Sequence, residues 1–374
     1  MLNLFINNQF IMKHTQLILA AALVALAGCT KVNVETVDET NEIGFTAVTS
    51  MATKANNAII SGTTYGHDNT FQVWGWQSPA EDFSEFDDND ASNFMSNLTI
   101  SWTKGRDNTR DEAWRNATNY YYWPFTGRIS FLAIHPSTVA PSSTGWDATN
   151  DKPVAVINDY TVAAKDSTDL MFATNEGARQ ATALSMVFKH ALSQIQFRVR
   201  TDYDYTLDNV EFKVDSIRIS NIDLSGDVTY ANDAISWADN AAQTEKKFYY
   251  RTTQVVNYAA TDAAAALYGR ALVMIPQNAN VLDLPADDVQ TTFTIGYTMK
   301  QKSNDPISGT VTVAAPWTKV KEGSTEYDPA AAIAAWEPGK KYNYTLCFKL
   351  NEILFNPTVT DWVEVEMSTV NILD

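Results

Sequence analysis

An all-β protein is the fold class that this sequence predicts. Apolar and polar residues alternate with a period of two in many short runs, and turn-forming residues interrupt these runs. Amphipathic helical patterns are almost missing, because the Ala-rich segments 259–267 and 330–336 allow only one or two helical turns. Many short strands separated by turns are typical of β-sandwiches, so we expect two tandem β-sandwich domains with Greek-key-type connections.

The length and composition of the chain fit two domains. It has 374 residues, of which 45% are hydrophobic, so it can bury substantial cores. Residues 175–181 are polar and contain one glycine, which favours a boundary there. We therefore expect an N-terminal domain over residues 29–180 and a C-terminal domain over residues 181–374.

The net charge of −17 at pH 7 argues against two classes of partner. An acidic surface repels the phosphate backbone of nucleic acids and the headgroups of anionic lipids. We therefore expect no nucleic-acid partner, and the charge says nothing more specific.

The N-terminus reads as an export signal. A basic patch at residues 12–14 precedes an apolar run at residues 17–27, which is shorter than the roughly 20 residues that span a bilayer. Leu26-Ala27-Gly28-Cys29 resembles the lipobox of bacterial lipoproteins, whose cysteine carries lipid and becomes the first residue. Residues 1–28 are thus predicted to be a signal peptide, and a translation start at Met12 would explain the polar residues 1–11.

In the first domain, alternation at Ile43–Val48 predicts the first strand, after an acidic segment that ends near Asn41. Further strands are expected at 71–76, 98–102, 120–124, 129–134, 154–157 and 169–173, with residues 136–151 as a loop.

In the second domain, residues 186–199 predict one long strand, in which Ile195, Phe197 and Val199 share a face. The later strands are expected at 210–220, 248–251, 271–275, 291–299, 310–314, 341–350 and 359–367. Within residues 341–350, Cys347 has the parity of polar neighbours, so we expect a free thiol that points away from the apolar face.

Four stretches in this order resemble the fimbrillin-like proteins, the subunits of type V pili of Gram-negative gut and oral anaerobes. They are residues 169–173 (DLMFA), 188–195 (FKHALSQI), 336–344 (WEPGKKYNY) and 355–362 (FNPTVTDW). The resemblance implies two tandem transthyretin-like sandwiches. It also implies a subunit that reaches the outer membrane and cell surface as a lipoprotein and joins other pilus subunits, where it serves as a structural or adhesive component.

The same resemblance implies a maturation step. A trypsin-like protease cuts after Arg or Lys in the first domain and removes the first strand, and a strand from another subunit then fills the groove. Lys54-Ala55 is the matching bond, since no other Lys or Arg lies between Lys31 and Lys104. The family pattern has Arg more often at this position, and a solvated loop lysine remains the alternative.

The C-terminal residues suggest a donor strand. Val363, Val365 and Met367 share one face, whereas Val370 and Ile372 fall on the other parity, which separates residues 368–374 from that strand. A detachable donor tail and a frayed terminus both fit this pattern.

No catalytic, cofactor or metal motif stands out. His67, His135 and His190 lack zinc spacing, so we expect His190 to be a packed or interface residue. The acidic stretch 82–90 lacks the spacing of a calcium loop, and no phosphate loop or nucleophile elbow occurs. Ten tryptophans leave one alternative open, an outer-membrane surface lipoprotein that binds glycans, although packing in sheets also explains them.

Overall fold

The computed structural model describes residues 41–49, 65–84, 86, 93–104, 111–162, 168–239, 247–278, 291–302, 304–315, 318–320, 327–332, 335–349 and 353–361. Within these ranges the protein is built from strands, with short 3-10 turns at Tyr205–Asp208 and Asp262–Ala264, so the all-β prediction is confirmed. No helix among the described residues is long and apolar enough to cross a membrane.

The strands up to residue 190 are β1 (Phe45–Thr49), β2 (Thr70–Ser78), β3 (Met95–Thr103), β4 (Ala113–Asn116), β5 (Arg128–His135), β6 (Ser143–Asp147), β7 (Lys152–Thr161), β8 (Met171–Gly177) and β9 (Leu184–His190). Seven of them close into a barrel in the order β1-β4-β3-β2-β5-β8-β9. The barrel closes where β1 lies parallel to β9.

The later strands are β10 (Ser193–Thr201), β11 (Val210–Ser220), β12 (Ser225–Ala231), β13 (Ala234–Asp239), β14 (Lys247–Val255), β15 (Ala266–Met274), β16 (Gln277–Asn278), β17 (Thr292–Gln301), β18 (Ile307–Ala314), β19 (Thr318–Val320), β20 (Tyr327–Ala332), β21 (Ala335–Trp336), β22 (Lys340–Phe348) and β23 (Ile353–Asp361). Two four-stranded sheets, β15-β10-β22-β23 and β14-β11-β17-β18, enclose a common apolar core, as in a sandwich.

Strands β2 and β5 are buried on both faces. Phe71 and Phe131 point into the barrel, whereas the neighbouring side chains Trp76 and Leu132 point outward into a second core. The outer layer over that second core is the sheet β13-β12-β7-β6. This explains why β5 is buried at nearly every position and its burial does not alternate.

The same outer sheet connects the two halves of the chain. β7 precedes residue 180 and β12 follows it, and they pair antiparallel with Val228 opposite Ile157. The core beneath contains Leu132 and Phe172 from the first half and Ile275 from the second. The two halves therefore share one hydrophobic core.

The expected long strand 186–199 is wrong, because β9 and β10 are separate strands. Between them Ala191 donates its backbone N–H to Leu170 O, and Gly339 donates to Leu192 O. The chain leaves the barrel at this point and enters the sandwich, a change of sheet that the alternation of side chains does not reveal.

Other segment predictions also differ from the structure. The expected loop 136–151 contains β6, and the expected strand 120–124 makes only a bridge from Tyr122 to Glu42. The Ala-rich segment 330–336 contributes to β20 and β21. The last described strand, 353–361, begins before the expected strand 359–367, of which residues 362–367 lie outside the described residues. Strand β6 pairs with the next strand β7, and β20 pairs with the preceding β19, so pairing with another strand outweighs local preference there.

A buried histidine pairs with a tyrosine in the barrel. His135 Nδ1 lies 2.7 Å from Tyr65 Oη and 3.1 Å from Thr70 O. Burial lowers the pKa of His135 from 6.5 to about 4. The nearby Asp169 charge acts in the opposite direction, and His190 lowers the pKa further. The folded protein thus keeps His135 neutral over a pH range in which the unfolded chain binds a proton.

We expect Ile275→Ala to destabilise both halves, because Ile275 packs in the shared core. The free energy of unfolding should fall by about 2–5 kcal/mol, and amide exchange should accelerate in β7 as well as β12. Ile217→Ala, in the sandwich core, is the control that should act mainly on the second half. Unchanged exchange in β7 would contradict a shared core.

We expect acidification to destabilise the protein through His135. Since the folded pKa is lowered, stability is complete above pH 6.5 and falls as the pH drops towards about 4, by about 3 kcal/mol in total. Urea unfolding from pH 7 to 4.5 should show a flatter slope for His135→Gln than for the parent. His67→Gln, at an exposed histidine, should keep the parental slope.

Candidate functional site: the first strand and its slot in the barrel

The first strand occupies a channel between β4 and β9, which we call the β1 slot. Five consecutive residues of β1 pair with β9 in parallel, from Phe45 opposite Leu184 to Thr49 opposite Phe188. On the other side, one antiparallel pair joins Phe45 to Trp114 of β4. The predicted strand Ile43–Val48 is thereby confirmed within a residue or two at each end.

Alternating side chains of this segment enter the barrel core. Ile43, Phe45 and Ala47 are buried there, and the Phe45 ring lies 5.4 Å from the ring of Phe131. Burial of a Phe or Ile side chain contributes about 1.5–3 kcal/mol. The slot is therefore an apolar groove when β1 is absent, and it needs a strand of the same pattern.

A charge pair marks the entrance of the slot. Arg115 Nη1 of β4 lies 3.2 Å from Glu42 Oε2, and both side chains are only 10% exposed. Arg115 Nη2 also donates to Asp111 O at 3.1 Å. Its Nε has no acceptor within the part of the chain that the structure describes. Loss of Glu42 would therefore leave a largely buried guanidinium without its counter-charge.

The chain is anchored again just beyond the first strand. Tyr65 is buried, and its ring stacks on Phe188 with centroids 5.0 Å apart and contacts Trp114 at the same distance. The covalent link between β1 and the rest of the barrel therefore runs through residues 50–64. A cut within that link would leave Tyr65 in place and hold β1 by non-covalent contacts alone.

The residues that the sequence singles out lie outside the described residues. These are the lipidation residue Cys29, the maturation bond Lys54-Ala55, and the tail residues Val370 and Ile372. They stay predictions.

Sequence reasoning missed Arg115. This residue lies on the outward face of the short strand β4, where a charged side chain is normally solvated. Only the placement of Glu42 beside it reveals its role.

His190 lies where the barrel meets the sandwich. Its Nδ1 is 2.6 Å from Asp169 Oδ2, and both side chains are at most 2% exposed. The loop at Gly339, which has a φ of +69°, passes against the backbone of His190. The expectation of a packed histidine at the junction is confirmed.

The remaining candidates have packing roles. None of the eight tryptophans in the described ranges is exposed; they are Trp74, Trp76, Trp102, Trp114, Trp123, Trp146, Trp237 and Trp336. Cys347 faces away from the sandwich core as expected, but it is buried, and burial raises the pKa of its thiol to about 11. The described residues include no group of three His, Cys, Asp or Glu side chains that could hold a metal ion.

Structural comparison supports the fold. A fimbrial protein from Bacteroides vulgatus ATCC 8482 is similar, with a TM-score of 0.56 and 18% identity over 86% of this chain and 100% of that chain. A candidate cell adhesion protein from Bacteroides uniformis ATCC 8492 has a TM-score of 0.45 and 15% identity, over 86% of this chain and 99% of that one. At 18% identity, the likeness to the Bacteroides vulgatus protein concerns the fold alone.

Sequence comparison supplies the family. No curated protein matches the sequence. The family described as fimbrillin-like matches residues 30–362, which include the barrel, the shared core and the sandwich. The resemblance seen in the four sequence stretches is thereby confirmed: the chain belongs to the fimbrillin-like family.

Proposed function

We propose that this protein is a structural or adhesive subunit of a type V pilus that polymerises by strand exchange. The observation that carries the proposal is the placement of β1. It closes the barrel, and its covalent link to the rest of the barrel runs through residues 50–64, which contain Lys54. Removal of this strand opens the barrel without disturbing the sheets that join the two halves.

The free energy lost when β1 leaves the slot favours assembly with another subunit. Without β1, the edge of β9 from Leu184 to Phe188 loses its partner, and the core side chains around Phe131 and Phe71 face an open groove. Unpaired backbone beside an apolar groove favours the addition of another strand. The C-terminal tail of a second copy, with Val370 and Ile372, is the proposed donor.

The proposal includes the earlier steps that the sequence predicts. Cys29 carries lipid and holds the precursor at the outer membrane, where several acyl chains give firm attachment. A trypsin-like protease then cuts after Lys54, so that Ala55 becomes the first residue at the cell surface. In this proposal the two halves are the transthyretin-like units of the family, and the protein has a non-enzymatic role without a cofactor.

The proposed cut can be tested with the lipid-free chain. Brief treatment with trypsin should give one early product that begins at Ala55, followed by oligomers that survive mild SDS. Lys54→Gln should remove both the early cut and the oligomers, which N-terminal sequencing and gel analysis would show. A persistent monomer after complete cleavage at Lys54 would contradict polymerisation by strand exchange.

The contribution of Phe45 to the binding of β1 in the slot can be tested separately. Phe45 is 2% exposed, so Phe45→Ala should lower the free energy of unfolding of the uncut precursor by about 3–5 kcal/mol. After cleavage, the released strand should also dissociate faster and oligomers should form sooner. Thr46→Ala, at the neighbouring exposed position, is the matched control and should leave both measurements unchanged. Equal effects from the two substitutions would contradict the inward role of Phe45.

A further inference from the structure

We propose that the β1 slot selects its incoming strand by charge, and that Arg115 recognises Glu364 in the C-terminal tail of a second copy. This inference rests on the proposed function, because it concerns the strand that replaces β1. It adds a specificity-determining residue on the acceptor and a partner residue on the donor.

The first step concerns the side chains that the slot requires in an incoming strand. Inward positions 43, 45 and 47 need apolar side chains, and position 49 holds a buried threonine. On the outward side, Arg115 is 9% exposed and its guanidinium contacts the Glu42 carboxylate. When β1 departs with Glu42, this buried cation needs a new carboxylate, because an unpaired charge at such a site is costly.

The second step is a match in the tail, in which the segment that pairs with the slot begins at Val363 and the donor residues Val370 and Ile372 follow it towards the C-terminus. In the segment 363–369 (VEVEMST), apolar residues alternate with the carboxylates of Glu364 and Glu366. The segment 42–49 (EIGFTAVT) has the same alternation of apolar inward residues, with one carboxylate, Glu42, on the outward side.

Two registers are possible, since Val365 can take the place of Ile43 or of Phe45. The first puts Thr369 at the inward position 47, whereas the second puts apolar side chains at all three inward positions. The second register also places Thr369 where Thr49 is buried.

Both registers bring Glu364 to Arg115. In the first register Glu364 takes the place of Glu42, which already contacts the guanidinium. In the second it takes the place of Gly44, which lies opposite Arg115 because Phe45 pairs with Trp114 in an antiparallel ladder. A Cβ atom at Gly44 would meet its nearest neighbours at 3.9 and 4.0 Å, so a side chain fits there.

The third step excludes the tail of the same copy. Asp361 pairs with Lys340, and the adjacent Gly339 bonds to Leu192, so β23 ends near the end of the slot where β1 finishes. From there, Glu364 can reach about 10 Å at ~3.3 Å per residue. Its place beside Arg115 lies at least five strand residues away, about 17 Å. A donor that runs in the direction of β1 therefore comes from another copy.

The experiment uses the full lipid-free chain with a sequence-specific protease site placed within residues 50–64, so that strand release does not depend on Lys54. The chain is cut in the presence of a fluorescent peptide with the sequence of residues 362–374, and retained peptide is measured by anisotropy. Glu364→Gln in the peptide should weaken binding by about tenfold or more, as expected when one member of a buried charge pair is removed. Asp374→Asn, with the same change in net charge, should bind like the parent peptide.

A second test uses an acceptor chain in which the charges of residues 42 and 115 are exchanged. The chain with Glu42→Arg and Arg115→Glu keeps an opposite-charge pair in the uncut state, and a melting temperature near the parental value checks that it folds. It should prefer the peptide with Glu364→Arg over the parent peptide. The peptide variants need no folding, so they test the proposal even if this acceptor is unstable.

The outcomes separate this inference from the proposed function. Equal binding of the parent and Glu364→Gln peptides would overturn recognition by Arg115 and leave strand exchange standing. Absence of peptide binding, with polymers still formed by the cut chain, would overturn the tail as donor. Absence of both binding and polymers would overturn the proposed function together with this inference.

Discussion

Barrel closure by a single short strand is the constraint on which the rest of the site depends. A closed sheet has no free edge, and here the last gap is filled by β1, which pairs with β9 along five residues but with β4 at only one. The strand contributes Ile43, Phe45 and Ala47 to the core and Glu42 to Arg115. The same few residues thus complete the core, the backbone ladder and the charge balance.

Strands β2 and β5 of the barrel are held more firmly than β1, because a further layer covers them. Outside the slot, the barrel is supported by β2 and β5, which are buried on both faces, and by an outer sheet in which strands from both halves pair. Tyr65 fixes the chain just after the link that would be cut. In the proposed strand exchange, this support is what lets the barrel lose one strand and retain a groove that accepts another.

Much of the fold follows from local pattern. Short apolar or alternating runs predicted β1, β2, β5, β11 and β17 close to their observed bounds, because each strand lines a core on at least one face. Strands β6, β12 and β13 and the short pieces β20 and β21 were missed, since weakly apolar or Ala-rich sequences become strands only beside a suitable partner. The first strand was predictable from its alternation, but Arg115 was not, because its partner Glu42 lies 73 positions away in the chain.

The sequence by itself determined the all-β class, the family and the existence of a first strand with alternating burial. These properties depend on residue type and on spacing within a few positions. Only the tertiary structure decided that β1 closes a barrel in parallel with β9, that the two halves share a core, and that Arg115 faces the outward edge of β1. Those features depend on which distant strands become neighbours, and hydrogen-bond pairing and shared burial across the whole chain determine that choice. The first strand, which the sequence resemblance singles out for removal, is in the structure the strand that closes the barrel.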